Sequence, residues 1–192
     1  LTSTLEAGAD ESFDALILSI ANCTRRHARR VVDLLGLWVR NHIEKAHSGD
    51  VYLSQSMGMR MGVDDEATVL GARRVSAARY IYYRTLMEIV RVVPREQLGD
   101  DVALNLEHSA FSVFRSERSE DTVHRRAVSG VLVDFLSELS KTRFLTVSDR
   151  FTRELSALAS AGVTKDTDAK VEHILKGVRK LNLRVSYSPH LG

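Results

Sequence analysis

Arginine supplies 21 of the 27 basic residues in this 192-residue chain, and much of it is concentrated in three groups. Arg25, Arg26, Arg29 and Arg30 form the densest, Arg73 and Arg74 the second, and Arg125 and Arg126 the third. A guanidinium fork grips carboxylate or phosphate at two points, so such groups suit recognition of acidic surfaces. Each falls early in a predicted helix, where a cation opposes the helix dipole and costs a little stability. Residues that break a local rule in this way are candidates for binding. An ordinary solvated face is the plainer reading of the same groups and stays open beside it.

Catalytic and metal chemistry has no comparable signal. The chain contains no glycine-rich phosphate loop, HExxH pair, GxSxG elbow or kinase signature. Its seven histidines, at 27, 42, 47, 108, 124, 173 and 190, include no i, i+4 pair backed by a carboxylate on a predicted helix face, and surface positions are expected for them. Asp64, Asp65 and Glu66 could ligate a divalent ion, yet they stand at the start of a predicted helix, where carboxylates favour the positive end of the dipole. The lone Cys23 leaves no intramolecular disulfide and no multi-cysteine zinc site, and its place near the end of an apolar stripe reads as a packed, inert thiol. These absences predict a non-enzyme without cofactor or metal.

The elements that carry the arginines are helices. Only two prolines occur, and no run alternates apolar and polar residues long enough for a sheet. Helix one is predicted over 12–23 on Phe13, Leu16, Ile17 and Ile20. Helix two, over 26–45, has one stripe of Val31, Leu34, Leu35 and Trp38 and another of Val32, Val39 and Ile43, which predicts a central helix. The segment 47–66, with three glycines, three methionines and no clear period, reads as a long flexible loop. Helix three, over 67–93, carries Val75, Ala78, Tyr82, Leu86, Ile89 and Val93 and ends at Pro94, with Arg84, Glu88, Arg91 and Arg95 as a solvated charged line.

Helix four is predicted over 96–116 with a kink near Gly99, helix five over 121–142, helix six over 147–159 with Gly162 capping its end, and helix seven over 166–181. A short corner joins five to six. The order predicts pairs one with two, three with four and five with six, with seven opening a further pair. Antiparallel helical hairpins stacked as a HEAT/armadillo-like α-solenoid segment are the expected all-α architecture, with a closed helical bundle as the alternative.

Composition bounds the class. A content of 44% hydrophobic and 27% charged residues over 192 positions fits one soluble globular domain, and residues 1–192 are read as a single helical-repeat domain. A start at Leu1 rather than methionine, and an end soon after Pro189, suggest a fragment of a much larger scaffold. No apolar stretch is long enough to span a bilayer and no signal peptide is visible, which predicts a cytoplasmic chain without membrane insertion. A nucleic-acid-binding helical-repeat module would use the same arginines. A net charge of +2 and an aromatic content of 6% disfavour that reading.

Five ordered runs carry a family resemblance: ESFDALILSIANC, VVDLLGLWVRNHIE, RRVSAARYIYYRTLMEIVRVVP, LVDFLSELSKTRFLTVSDRFTREL and ILKGVRKLNLRVSYSP. Together the chain resembles the amino-terminal domain of the Furry family of cell-morphogenesis proteins, in its fungal form. Its most specific pieces are the corner SKTRFLTVSDRF, 140–151, and the extended LRVSYSP, 183–189. The methionine- and glycine-containing stretch 51–63 departs from the family pattern. The resemblance implies a very large helical-repeat scaffold in polarised growth and cell shape. Its implied partners are an NDR-type kinase, a Mob co-activator and the remainder of the same scaffold chain; its implied location is the cytoplasm, at the cell cortex or at sites of polarised growth. It carries no catalytic residues. In this context His124, Arg126 and Ser129 form an HxRxxS arrangement that resembles the preference of NDR-type kinases, which makes Ser129 a candidate phosphosite. Its place between Val128 and Val131 in a packed helix argues against that role.

Overall fold

The computed structural model describes residues 11–56, 63–116, 123–162 and 164–181. All seven elements among them are helical: α1 (Glu11–Thr24), α2 (Ala28–Ser56), α3 (Val63–Val92), α4 (Arg95–Leu98), α5 (Asp100–Ser116), α6 (Val123–Ser160) and α7 (Lys165–Lys180). The fold is all-α and solenoid-like, as the periodicity predicts.

Local chemistry explains where the helices break. Pro94 cannot continue α3, and Gly99 at φ +81° separates the single turn of α4 from α5, where the sequence suggests a kink. A side chain at Gly99 would also bring its Cβ to 2.8 Å from Asp101 Oδ1. The predicted corner between helices five and six is a break inside α6, at Arg143 with φ −132° and ψ 42°. Gly162, at φ +82°, ends α6, and a reciprocal capping box starts α7: Thr167 N–H donates to Thr164 Oγ1 at 3.1 Å, and Thr164 N–H to Thr167 Oγ1 at 2.7 Å.

The core runs along α3 and the first part of α6. Tyr83, Leu86 and Ile89 meet Val128, Leu132, Phe135, Leu136 and Leu139, all essentially without solvent exposure. These two helices run in the same direction, since Tyr83 packs on Phe135 at 5.6 Å between ring centroids while Arg91 reaches Glu138 at 3.1 Å. Parallel α-helices separated by an intervening helix are the repeat of a two-layer solenoid. In the same way α5 and the second part of α6 run together, through Phe111 on Phe151 at 4.9 Å and Arg115 near Glu154 at 3.8 Å.

Several sequence expectations change. Helix two does not end at Lys45: α2 continues to Ser56 and α3 starts at Val63, so 47–56 and 63–66 are helical rather than part of a 47–66 loop. A glycine inside a helix costs only about 1 kcal/mol relative to alanine, so Gly49 does not force a break. Residues 57–62 lie outside the described residues.

Helix two is also not the central element. It packs chiefly on α3 and only slightly on α1, while α1 packs mainly on α3, so α3 takes the central place. Of the first predicted stripe Leu34 is exposed and Val31, Leu35 and Trp38 are only half-buried; Leu37, in neither stripe, is exposed as well. Helix seven is likewise not left unpaired, since α7 packs closely on α6. Its end is tied down where Ser137 Oγ donates to the Lys180 carbonyl at 2.6 Å and Lys180 pairs with Asp134.

Candidate partner-binding surface

The first arginine group occupies the turn between α1 and α2 and the first turn of α2. Buried Ile17, Ala21 and Thr24 set the inner face of α1, and Ala28, Val32, Val39 and Ala46 set that of α2. The spacing leaves Arg25, Arg26, Arg29 and Arg30 outside, and all four are exposed. They are not equivalent. Arg29 pairs with Asp101 on α5 and so ties α2 to the next layer. Arg25, Arg26 and Arg30 make no ion pair with any described residue, which leaves three guanidinium groups available to a partner carboxylate.

Arg73 and Arg74 are exposed on α3, Arg126 is exposed on α6, and Arg125 is half-buried. Because α3 and α6 run in parallel with Tyr83 against Phe135, the second and third groups lie toward one end of that pair. The first group lies toward the other, where α2 begins beside the end of α3: Tyr82 Oη stands 3.9 Å from the Cβ position of Gly36, which sets the register of the α2–α3 hairpin. The three groups therefore do not merge into one groove.

Ser129 is only 5% exposed, so a kinase would need this part of α6 to open before reaching its hydroxyl. Cys23, expected to be packed, is exposed, because the buried stripe of α1 passes through Ala21 and Thr24 and leaves position 23 to one side. His124, expected at the surface, is buried, and its Nδ1 has no hydrogen-bond partner among the described residues. It precedes Val128 and Val131 by one and two helical turns and thus falls on the inward stripe of α6. The run 64–66 falls within the first turn of α3. No group of three or more metal-ligating side chains occurs among the described residues, and no helix there is long and apolar enough to cross a membrane.

Two buried acids mark what sequence reasoning missed. The line Arg84, Glu88, Arg91, Arg95 is not simply solvated: Glu88 is buried, paired with Arg84 and with Arg91 at 2.8 Å. Arg84 reaches Asp14 on α1 at 3.1 Å, and Arg91 reaches Glu138 on α6. Burial would raise the Glu138 carboxyl, but hydrogen bonds from Lys141 and Arg91 outweigh it and hold the group below the usual carboxylate range. On Arg84 burial opposes the charge, and the Glu88 and Asp14 carboxylates reverse that effect and raise its pKa. The i, i+3 and i, i+4 spacing gave the local pairs; the links to α1 and α6 depend on packing.

The second acid, Glu107, sits beneath the break in α6. Thr146 Oγ1 donates to Glu107 Oε2 at 3.0 Å, and Arg143 Nε approaches the same oxygen at 3.6 Å, a charge contact rather than a hydrogen bond. Arg143 also donates to Asp100 at 3.1 Å, and Arg95 Nε donates to the same carboxylate at 3.1 Å. The non-helical residue is thus the one whose side chain binds the end of α6's first part to α5. Just beyond it Leu145 is 79% exposed.

The corner and the helices around it fall inside a segment with known relatives: the family described as cell morphogenesis N-terminal matches residues 72–190. The chain belongs to this family. The match begins within α3, takes in Arg73, Arg74, Arg125, Arg126 and the Arg143 corner, and stops short of the first arginine group. The chain is also similar to cell polarity protein mor2 of Schizosaccharomyces pombe, 23% identical over 185 residues, which covers 94% of this chain. This chain spans 8% of the length of that relative. No solved structure matches it. Membership in the cell morphogenesis family accords with the Furry-type resemblance of the five runs and points to a role in morphogenesis.

Proposed function

We propose that this chain is a non-catalytic scaffold segment of a cell-morphogenesis protein, and that it supports NDR-type kinase and Mob signalling in polarised growth by binding an acidic partner surface. The observation that carries the reading is the set Arg25, Arg26 and Arg30, exposed at the start of α2 without an ion pair among the described residues. Unpaired guanidinium groups retain their full capacity for two-point contacts, and the planar fork limits the entropy lost for each hydrogen bond formed. Family membership supplies the setting in cell shape and polarity. The cytoplasm, at the cortex or sites of growth, is the compartment this role requires.

Calorimetry with a purified NDR-type kinase–Mob complex at two salt concentrations tests the proposal. The parent chain should bind saturably and more weakly at higher salt. The variant Arg25→Glu/Arg26→Glu/Arg30→Glu, with unchanged helical circular dichroism, should lose that binding. Arg29 stays intact in this variant because its pairing with Asp101 belongs to the fold. No binding by the folded parent overturns the proposal. An architectural role, docking onto the remainder of the same scaffold, is the second reading, favoured by Leu175, 47% exposed on α7 at the end of the helical array.

A further inference from the structure

Opposite its buried stripe, α2 presents a line of side chains that the fold does not use. Arg30, Leu34, Leu37 and Asn41 follow one another at steps of four, three and four residues, and all are exposed. Leu34 is 56% and Leu37 48% exposed. The line extends about 16 Å, three turns of helix. Arg25, Arg26 and Arg40 flank it, each without an ion pair among the described residues, and with Arg30 they outnumber the exposed acids of this surface, Asp33 and Glu44.

We propose that this outer face of α2 is a dock for an acidic amphipathic helix of a protein partner, roughly three turns long. Two leucines spaced i, i+3 form a short apolar ridge that fits between the side-chain rows of a crossing helix, and the surrounding guanidinium groups select one with aspartate or glutamate beside its apolar row. The features favour such a helix over two other anionic partners. Single-stranded nucleic acid is held by bases stacking on exposed aromatic rings, and here Trp38 packs on His42 at 4.4 Å between ring centroids and is half-buried. A membrane surface needs a broad apolar face, and the broad apolar face of α2 is turned into the core. The inference rests on the partner-binding reading above and specifies the chemistry of the partner.

The test uses a fluorescein-labelled, side-chain-stapled helical peptide with leucines along one face and glutamates beside them, and a twin with lysines in place of the glutamates. Fluorescence anisotropy should show saturable binding of the glutamate peptide and none of the lysine twin. Leu34→Gln/Leu37→Gln should weaken binding by about tenfold or more, while Leu34→Met/Leu37→Met retains it. Arg26→Glu/Arg30→Glu should lose the glutamate peptide and take up the lysine twin. Failure of the parent to bind the glutamate peptide overturns the dock, as does undiminished binding by the glutamine variant. Heparin or anionic vesicles binding as tightly as the peptide, insensitive to the leucine changes, would make the face a polyanion or lipid surface instead. The kinase–Mob titration separates the two proposals: if the arginine variant loses that complex and the glutamine variant keeps it, partner binding stands and the helix dock falls.

Discussion

Tyr82 and Tyr83 show how residue-level chemistry follows from position on a central helix. Both are buried against α2 and α6, and Tyr83 shares a hydrogen bond of 3.0 Å with Ser109 Oγ. Burial pushes the Tyr83 phenol up to about 12 from an ordinary 10.0, with the hydrogen bond to Ser109 and the charge of Arg79 acting the other way. Tyr82 is raised in the same direction, by burial first and by neighbouring Tyr83 second. Because the folded state favours the neutral phenol, its contribution is full below the unfolded value of 10.0 and is lost as pH rises toward about 12. Urea midpoints should therefore fall steeply across that window. Tyr83→Phe should cost about 1 kcal/mol at neutral pH through the lost hydrogen bond. It should lie closer to the parent at about pH 11, where unfolded tyrosine already ionises.

Among the elements, α6 and α7 carry a test of packing against propensity. A Cβ added at Gly177 would stand 2.5 Å from two ring carbons of Phe151, so this glycine lets α7 approach α6 closely. Gly130, on the outer side of α6, would meet nothing within 4 Å. Helix propensity favours alanine at both positions by up to about 1 kcal/mol, and only packing separates them. Gly130→Ala should stabilise by about 0.5–1 kcal/mol. Gly177→Ala should instead destabilise by about 1–3 kcal/mol as Phe151 is displaced. Thermal unfolding of the two variants reads opposite signs. The boundaries of these helices were largely legible: Pro94, Gly99 and Gly162 mark breaks at the expected places, and the corner after Thr142 appears at Arg143. The extent of α2 was not, because 47–56 lacks the apolar period by which a helix is recognised, yet forms one.

For the whole molecule, stability should follow the order of packing. α3 touches α1, α2 and α6, whereas α1 depends mainly on α3, and α7 on α6. In a stacked array each unit is stabilised by its neighbours, so the ends open most readily. Native-state hydrogen exchange should show the slowest amides within 82–90 and 128–139 and faster exchange across α1; uniform protection would contradict this order. The same logic explains the candidate surface. An edge helix such as α2 can expose Leu34 and Leu37 without disturbing the core, while the buried acids Glu88, Glu107 and Glu154 each have a paired cation, Glu107 and Glu154 across helices and Glu88 within α3.

What the sequence determined by itself was the all-α class, most helix boundaries and the family, because apolar period, proline, glycine and ordered motifs act within a few residues of one another. It also showed the arginine groups as composition. Only the tertiary structure decided which of those arginines are engaged, that Arg29 belongs to Asp101 while Arg25, Arg26 and Arg30 do not, and that the three groups stand apart. It likewise decided that α3 is central and α2 peripheral. Helical spacing specifies which residues share a face. Which face meets another helix depends on contacts between residues far apart in the chain, as between Arg29 and Asp101 or Tyr83 and Phe135.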